Sequence, residues 1–252
     1  VHVETFGSLE VIAREKSQIF SHPFTKRGFL AEDLPQEVWS TGLCPKTSFS
    51  VGKAADYRLM TVSHGLLVEE YGKSIVLPFL SLPGAHNLHS LLGAIAVARY
   101  FGIDWRCIRK TIPHLKLPQK RLEWVLKKGV SFLNDSYNAS AQAVKGAILA
   151  LKEERVKQRG RGRLVAVLGS MKELGTFSYT VHREIAYFAK EHLDKIFWMG
   201  KDWGLQDCLF LDKSSLQEAL FSYLRPGDWV LVKGAHSDAL WEVVESYNGD
   251  GS

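Results

Sequence analysis

The sequence predicts an α/β protein in two parts, and three observations lead there. Between residues 48 and 79, four short apolar or alternating runs are separated by glycine-bearing turns, the pattern of neighbouring β-strands. Beyond residue 118, strand-like and helix-like runs alternate, which implies right-handed βαβ crossovers and a mostly parallel sheet. Between the two lies Pro113 to Pro118, with two prolines in an otherwise unpatterned run; it is the best boundary and divides 1–117 from 118–252.

The elements follow in order. Ser8 is an N-cap candidate, and Val11, Ile12 and Ile19 stand near helical spacing, so a helix is expected over Ser8 to Phe20. Strands are expected near Ser48 to Val51, Tyr57 to Val62, Leu66 to Glu70 and Ile75 to Phe79, with antiparallel pairing the economical arrangement. Leu88 to Phe101 reads as a buried helix, with Leu91, Leu92, Ile95, Ala96 and Ala98 on a wide apolar stripe and Gly102 at its stop. A short helix over Trp105 to Lys110 precedes the boundary. The second part reads as strands Arg121 to Leu126 and Val130 to Asn134, helix Ala141 to Leu151, strand Leu164 to Leu168 and helix Tyr179 to Lys190. Strand Lys195 to Met199, helix Ser215 to Tyr223, strand Trp229 to Val232 and helix Ser237 to Tyr247 complete it. In parallel sheets ligands sit beyond the carboxyl ends of strands, where three polar clusters fall: Asp135 to Asn138, Gly169 to Gly175, and Lys233 to Ser237.

Composition narrows the function classes. With 252 residues and 46% apolar content the chain can build a real core. Its longest apolar stretch, Leu91 to Ala98, is far short of the roughly 20 residues of a membrane span, so membrane insertion is not expected. Cys44, Cys107 and Cys208 are distant from one another and lack metal-ligand spacing, which predicts free thiols and a cytoplasmic location. The net charge of +5 suits anionic ligands, yet the basic residues are scattered and lack aromatic interleaving, so no nucleic-acid partner is expected. A monomer is the simplest expectation.

Two decoys need dismissal. Gly72-Lys73-Ser74 resembles the end of a phosphate-gripping loop, but the glycine required five positions earlier is Leu67; flanking apolar runs predict a β-hairpin turn instead. Gly160 and Gly162 lie between arginines and precede a strand rather than follow one, unlike a dinucleotide fingerprint.

Five segments together carry a family resemblance: His2-Val-Glu-Thr-Phe-Gly-Ser8 with Ala13-Arg-Glu-Lys16; Pro83-Gly-Ala-His-Asn87; Asn134-Asp-Ser-Tyr-Asn-Ala139; Val167-Leu-Gly-Ser-Met-Lys-Glu-Leu-Gly175; and Leu231-Val-Lys-Gly234. In this order they resemble the ATP-dependent Mur ligases of peptidoglycan synthesis. The resemblance implies the later part of a central ATP-binding domain (1–117), with antiparallel strands and helices and without its phosphate loop. A Rossmann-like, mostly parallel C-terminal domain (118–252) would follow it. It implies a carboxylate–amine ligase that works through an acyl phosphate, with ATP and magnesium as cofactors. A UDP-linked muramoyl peptide and D-alanyl-D-alanine would be its substrates. The chain is expected to be a piece of such an enzyme, inactive alone.

Family positions map onto this chain as follows. His2 and Lys16, 14 residues apart, match the spacing of a magnesium-ligand histidine and a lysine that becomes carbamylated; a solvated helix lysine and a terminal histidine are the bland alternative. Asn87 is placed to read the adenine edge, or simply to cap its helix. Arg121 is placed to reach the terminal phosphate of ATP; a solvated arginine is the alternative. Asp135 would accept ribose hydroxyls, Tyr137 cover a base and Asn138 donate to phosphate or substrate, although a turn rich in Asx capping would use the same residues. Glu173 and His182 match positions lining the substrate cleft. Lys16, Arg121 and Lys233 are the catalytic candidates, Lys233 by holding a substrate carboxylate beside His236, which stands where the family has arginine. Ser90, Ser170, Ser140-Ala141 and Ala235 also depart from the family pattern. A folylpolyglutamate synthase-like ligase and a non-catalytic nucleotide- or substrate-binding module remain the alternatives.

Overall fold

The computed structural model describes residues 8–63, 65–78, 85–116, 118–204 and 206–249. Two compact units divide the chain, one within Phe6–Lys116 and the other within Leu117–Ser252.

In the first unit, Ser8 caps helix α1 (Leu9–Ser17), its hydroxyl accepting from Val11 N at 3.3 Å. Strands β1 (Gly28–Ala31), β2 (Lys46–Val51), β3 (Tyr57–Val62), β4 (Gly65–Glu70) and β5 (Lys73–Leu77) form a sheet in that order. A short helix α2 (Gln36–Ser40) links β1 to β2. Only the β3–β4 and β4–β5 pairs are antiparallel; β1–β2 and β2–β3 are parallel, against the expectation of antiparallel pairing. The tight return between β2 and β3 is held by a reciprocal lock: the Asp56 carboxylate accepts from Ser48 N and Oγ at 2.8 and 2.9 Å, and Ser48 Oγ accepts from Asp56 N. Such a lock depends on one side-chain pair and leaves no periodic trace. Gly72 lies in a hairpin turn and Lys73-Ser74 open β5, with Glu70 opposite Lys73 and positive φ at Tyr71 and Gly72 (46° and 81°), the geometry of a two-residue loop matched to strand twist. Helix α3 (Ala85–Tyr100) lays Leu91, Leu92, Ile95 and Ala96 on Leu59, Leu66, Val68 and Leu77 of the sheet. Helix α4 (Trp105–Thr111) follows, capped by Asp104.

The second unit is a six-stranded sheet built from β6 (Glu123–Lys127), β7 (Val130–Asp135), β8 (Leu164–Gly169), β9 (Lys195–Met199), β10 (Leu209–Phe210) and β11 (Trp229–Lys233), ordered β10-β9-β8-β11-β7-β6. All neighbours are parallel except β6, which runs antiparallel to β7. Helices α5 (Ala141–Lys157) and α6 (Ser178–His192) bury Val144, Ile148, Leu151, Ile185 and Ala189 on one face. Helices α7 (Lys213–Tyr223) and α8 (Trp241–Ser246) bury Leu216, Leu220, Val243 and Val244 on the other. With both faces covered, β8 and β11 are buried at every position, which is why they read as continuous apolar runs. The expected helix from Ser237 to Tyr247 is instead a 3-10 turn, His236–Asp238, then α8, broken at Ala239 in the left-handed region (φ 48°). Two short elements, β1 and β10, carry too few residues to show a period.

No helix among the described residues is long and apolar enough to cross a membrane. Cys44, Cys107 and Cys208 are free thiols.

Candidate active site

Strand order reverses between β8, whose chain continues outward to β9, and β11, which sits beside β7. A crevice beyond the carboxyl ends of such strands is the usual ligand position in this architecture. Gly169 ends β8 and Gly234 follows β11, and a Cβ on Gly169 would lie 3.0 Å from Gly234 Cα and 2.4 Å from Asp238 Oδ2. The two glycines thus let the loops cross closely.

Next to that crossing, Lys233 is paired in register with Asp135. Its ammonium, 2% exposed, donates to Asp135 Oδ2 at 2.5 Å, to the Asn138 carbonyl at 2.8 Å and to the Asp135 carbonyl at 3.4 Å. Burial pushes its pKa below the ordinary lysine value; the Asp135 carboxylate opposes that push and the Arg121 charge adds to it. All three N–H donors point inward, so the expectation that Lys233 grips a substrate carboxylate directly is not met in this arrangement. Lys233 instead holds the Asp135–Asn138 turn in shape.

Arg121 was expected to start a strand. It stands two residues before the strand, because Lys120 and Leu122 on either side take positive φ of 62° and 50° and the ladder begins at Glu123. Non-glycine residues resist that conformation, and hydrogen bonds compensate: Leu122 N donates to Asp135 Oδ1 at 3.2 Å, Lys120 N to Glu123 Oε2 at 2.9 Å, and Tyr137 N to the Lys120 carbonyl at 3.1 Å. The segment is strapped to the end of β7. The Arg121 guanidinium lies 4.2 Å from the Tyr137 ring centroid. Tyr137 meets the His236 ring edge-on at 5.5 Å, and His236 meets Trp241 at 4.9 Å. Lys120 and Trp241 sit in no motif, so nothing in the sequence singled them out. Asn138 turns its Oδ1 to Ala139 N at 2.8 Å, and Ser140 takes the cap of α5.

His182 does not line a cleft. It is 1% exposed; its Nε2 accepts from Met171 N at 2.9 Å and its Nδ1 donates to the Ser178 carbonyl at 2.8 Å. Burial lowers its pKa, against the pull of the Ser178 carbonyl. The ring is therefore a neutral strut under the Gly169 to Gly175 loop. Glu173, at φ 64° in that loop, is exposed. Ser170 is buried, with its hydroxyl 3.4 Å from the Met199 carbonyl.

In the first unit Lys16 is exposed in the last turn of α1. Asn87 is the third residue of α3, not its cap, because the helix begins earlier than expected, at Ala85. His2 lies outside the described residues. Among the described residues no group of His, Cys, Asp and Glu has metal-holding geometry.

Comparison with known proteins adds independent findings. The family profile described as Mur ligase, glutamate ligase domain, matches residues 120–236. The chain is 30% identical to the UDP-N-acetylmuramoyl-tripeptide–D-alanyl-D-alanine ligase of Bacillus subtilis, over 97% of the chain and 56% of that protein. It is also 30% identical to the ligase of the same name from Synechocystis, over 96% of the chain and 54% of that protein. The chain spans about half the length of the curated relatives it matches. Among solved structures it resembles MurF from Acinetobacter baumannii (TM-score 0.82, 22% identity, 98% of this chain and 57% of that one). It also resembles the MurF ligase of Thermotoga maritima in complex with ADP (TM-score 0.76, 23% identity, 100% and 60%). At those identities the structural likeness is one of fold.

Proposed function

The chain belongs to the Mur ligase family, and on that premise we propose that it is part of a cytoplasmic, ATP-dependent carboxylate–amine ligase of peptidoglycan precursor synthesis. The proposed reaction joins D-alanyl-D-alanine to a UDP-N-acetylmuramoyl-tripeptide, the reaction named for its relatives. ATP phosphorylates the peptide carboxylate to an acyl phosphate and leaves ADP. The amine of the dipeptide attacks the acyl carbon, and the tetrahedral intermediate collapses to an amide and phosphate.

One observation carries the reading: at the carboxyl edge of the second sheet, an exposed arginine is strapped beside a carboxylate that a buried lysine holds in place. The chemistry crowds anionic oxygens, so its barrier falls where fixed cations meet developing charge. Arg121 supplies such a cation, and its planar fork can donate two parallel hydrogen bonds to a phosphoryl group. Asp135 already accepts from Leu122 N and Lys233, but each carboxylate oxygen has a second lone pair, which suits ribose hydroxyls. Tyr137 offers a ring for a base and Asn138 its free amide N–H groups. Glu173 and His236 are the proposed substrate contacts of the loops around them. In the first unit, Asn87 is the proposed reader of the adenine edge.

Magnesium is the cation such a reaction uses. As an ammonium, Lys16 repels it and would have to become a carbamate to ligate a hard cation, and the described residues hold no metal-binding cluster. His2, the proposed partner of Lys16, lies outside the described residues, and the electrostatic roles proposed for the second unit belong to its own cations.

The test is phosphate release by the intact protein. Release that requires ATP, the muramoyl tripeptide and D-alanyl-D-alanine together supports the proposal; release with a folate and glutamate instead, or with neither pair, overturns it. Arg121→Ala should lower kcat by about 100-fold, the usual loss when one transition-state charge contact goes.

A further inference from the structure

The edge that carries Arg121 also carries a second cation. Lys120 Nζ stands 3.9 Å from the Trp241 ring centroid. From there the side chains run as one ladder: Trp241 against His236 at 4.9 Å, His236 against Tyr137 at 5.5 Å, and Arg121 over Tyr137 at 4.2 Å. Two consecutive residues thus stand at the two ends of a row of three rings in edge-on and tilted contact. In an extended strand their side chains would point to opposite faces; the left-handed φ at Lys120 and Leu122 breaks that alternation.

Ion pairs to carboxylates in this unit are made by Lys145 with Glu184, Lys157 with Glu154, Arg163 with Asp228, Lys172 with Asp202, Lys213 with Glu242 and Lys233 with Asp135. Among the described residues Lys120 and Arg121 form no such pair. A ring face attracts a cation without consuming its N–H donors, so both remain able to donate to an oxyanion. Position 236 is a histidine whose ring is held between two aromatic neighbours, a spacer in the row.

We infer that Lys120, propped on Trp241, is a substrate-binding residue that adds a second cation to the oxyanion-binding edge carrying Arg121. This rests on the ligase reading for the origin of the anion, either a nucleotide phosphate or the carboxylate of the amine substrate. Trp241 is a positioning residue that acts through Lys120.

The 252-residue chain is titrated with inorganic pyrophosphate and, separately, with D-alanyl-D-alanine by calorimetry, while the Trp241 indole N–H resonance, assigned with Trp241→Phe, is followed by NMR. Expected is binding of at least one probe with a shift of that resonance. Lys120→Gln should weaken it by about fivefold, the weight of one charge-assisted contact near the surface. Trp241→Ala should weaken it similarly and Trp241→Phe much less, since a phenyl ring still supports a cation. A loss confined to pyrophosphate identifies the nucleotide as the source; one confined to the dipeptide identifies the amine substrate. If Lys120→Gln binds both probes like the parent while Arg121→Gln binds neither, the second cation is refuted and the ligase reading stands. If the parent binds neither probe, the subsite itself is refuted.

Discussion

Replacing Lys233 by methionine tests what holds the candidate site together. The substitution keeps the length of the side chain but removes a 2% exposed ammonium and its three hydrogen bonds. The Asp135 side chain, 13% exposed, then keeps its charge without its cation, and two carbonyl oxygens lose a donor. Removing one partner of a buried ion pair costs about 3–5 kcal/mol. Asp135 sits at the sheet edge, partly open to solvent, so the lower end applies, about 3 kcal/mol, or roughly 10 °C in Tm for a unit of this size. Removing both charges is different: a buried pair replaced by neutral groups of similar volume is often nearly neutral. Urea denaturation of Lys233→Met, Asp135→Asn and the double variant, followed by tryptophan fluorescence, therefore forms a cycle. The double variant should be more stable than Lys233→Met by about 1–2 kcal/mol, a coupling typical of residues in contact. Additive losses, or a Lys233→Met variant within about 0.5 kcal/mol of the parent, the range of ordinary surface changes, would refute the assignment of Lys233 as the clamp of the Asp135–Asn138 turn.

Two further outcomes follow from the same unit. Because burial lowers the folded-state pKa of His182 below its ordinary 6.5, the unfolded chain binds a proton first as pH falls, so stability drops from about pH 6.5 down to the folded pKa and is level above. His182→Gln should flatten that acid limb of the urea midpoint against pH; an unchanged limb would assign it to other groups. Gly162→Ala would place a Cβ 1.7 Å from the Gly227 carbonyl oxygen, and the strain should cost about 1–3 kcal/mol; a thermal midpoint equal to the parent's would show that this crossing can relax.

Much of the second unit was legible because its core strands are buried on both faces. Leu164–Gly169 and Trp229–Lys233 had to be apolar throughout, and helices of regular length separate them. The same logic placed Asp135, Asn138 and Lys233 at one edge from the order of residues alone. In the first unit the strands were visible but their directions were not, since the parallel return at β2–β3 hangs on the Ser48–Asp56 lock, a contact without periodicity. Gly160 and Gly162 stand in the turn before β8, where a Cβ has no room. Their reason lies in space: Gly162 passes the Gly227 carbonyl, and a Cβ on Gly160 would touch Trp229 Nε1 at 2.7 Å.

By itself the sequence determined the α/β class, most element positions and the polar clusters at strand ends, because burial and hydrogen bonding impose periods and punctuation that a chain must carry along its length. Only the tertiary structure decided what each polar residue does. Whether Lys233 meets a ligand or a neighbour, whether His182 faces water or a backbone amide, and whether Lys120 and Arg121 flank one row of rings depend on residues far apart in the chain, 98 positions in the Lys233–Asp135 pair, brought together by strand order. That order is set by the packing of whole faces, so the roles it creates have no local sequence signal.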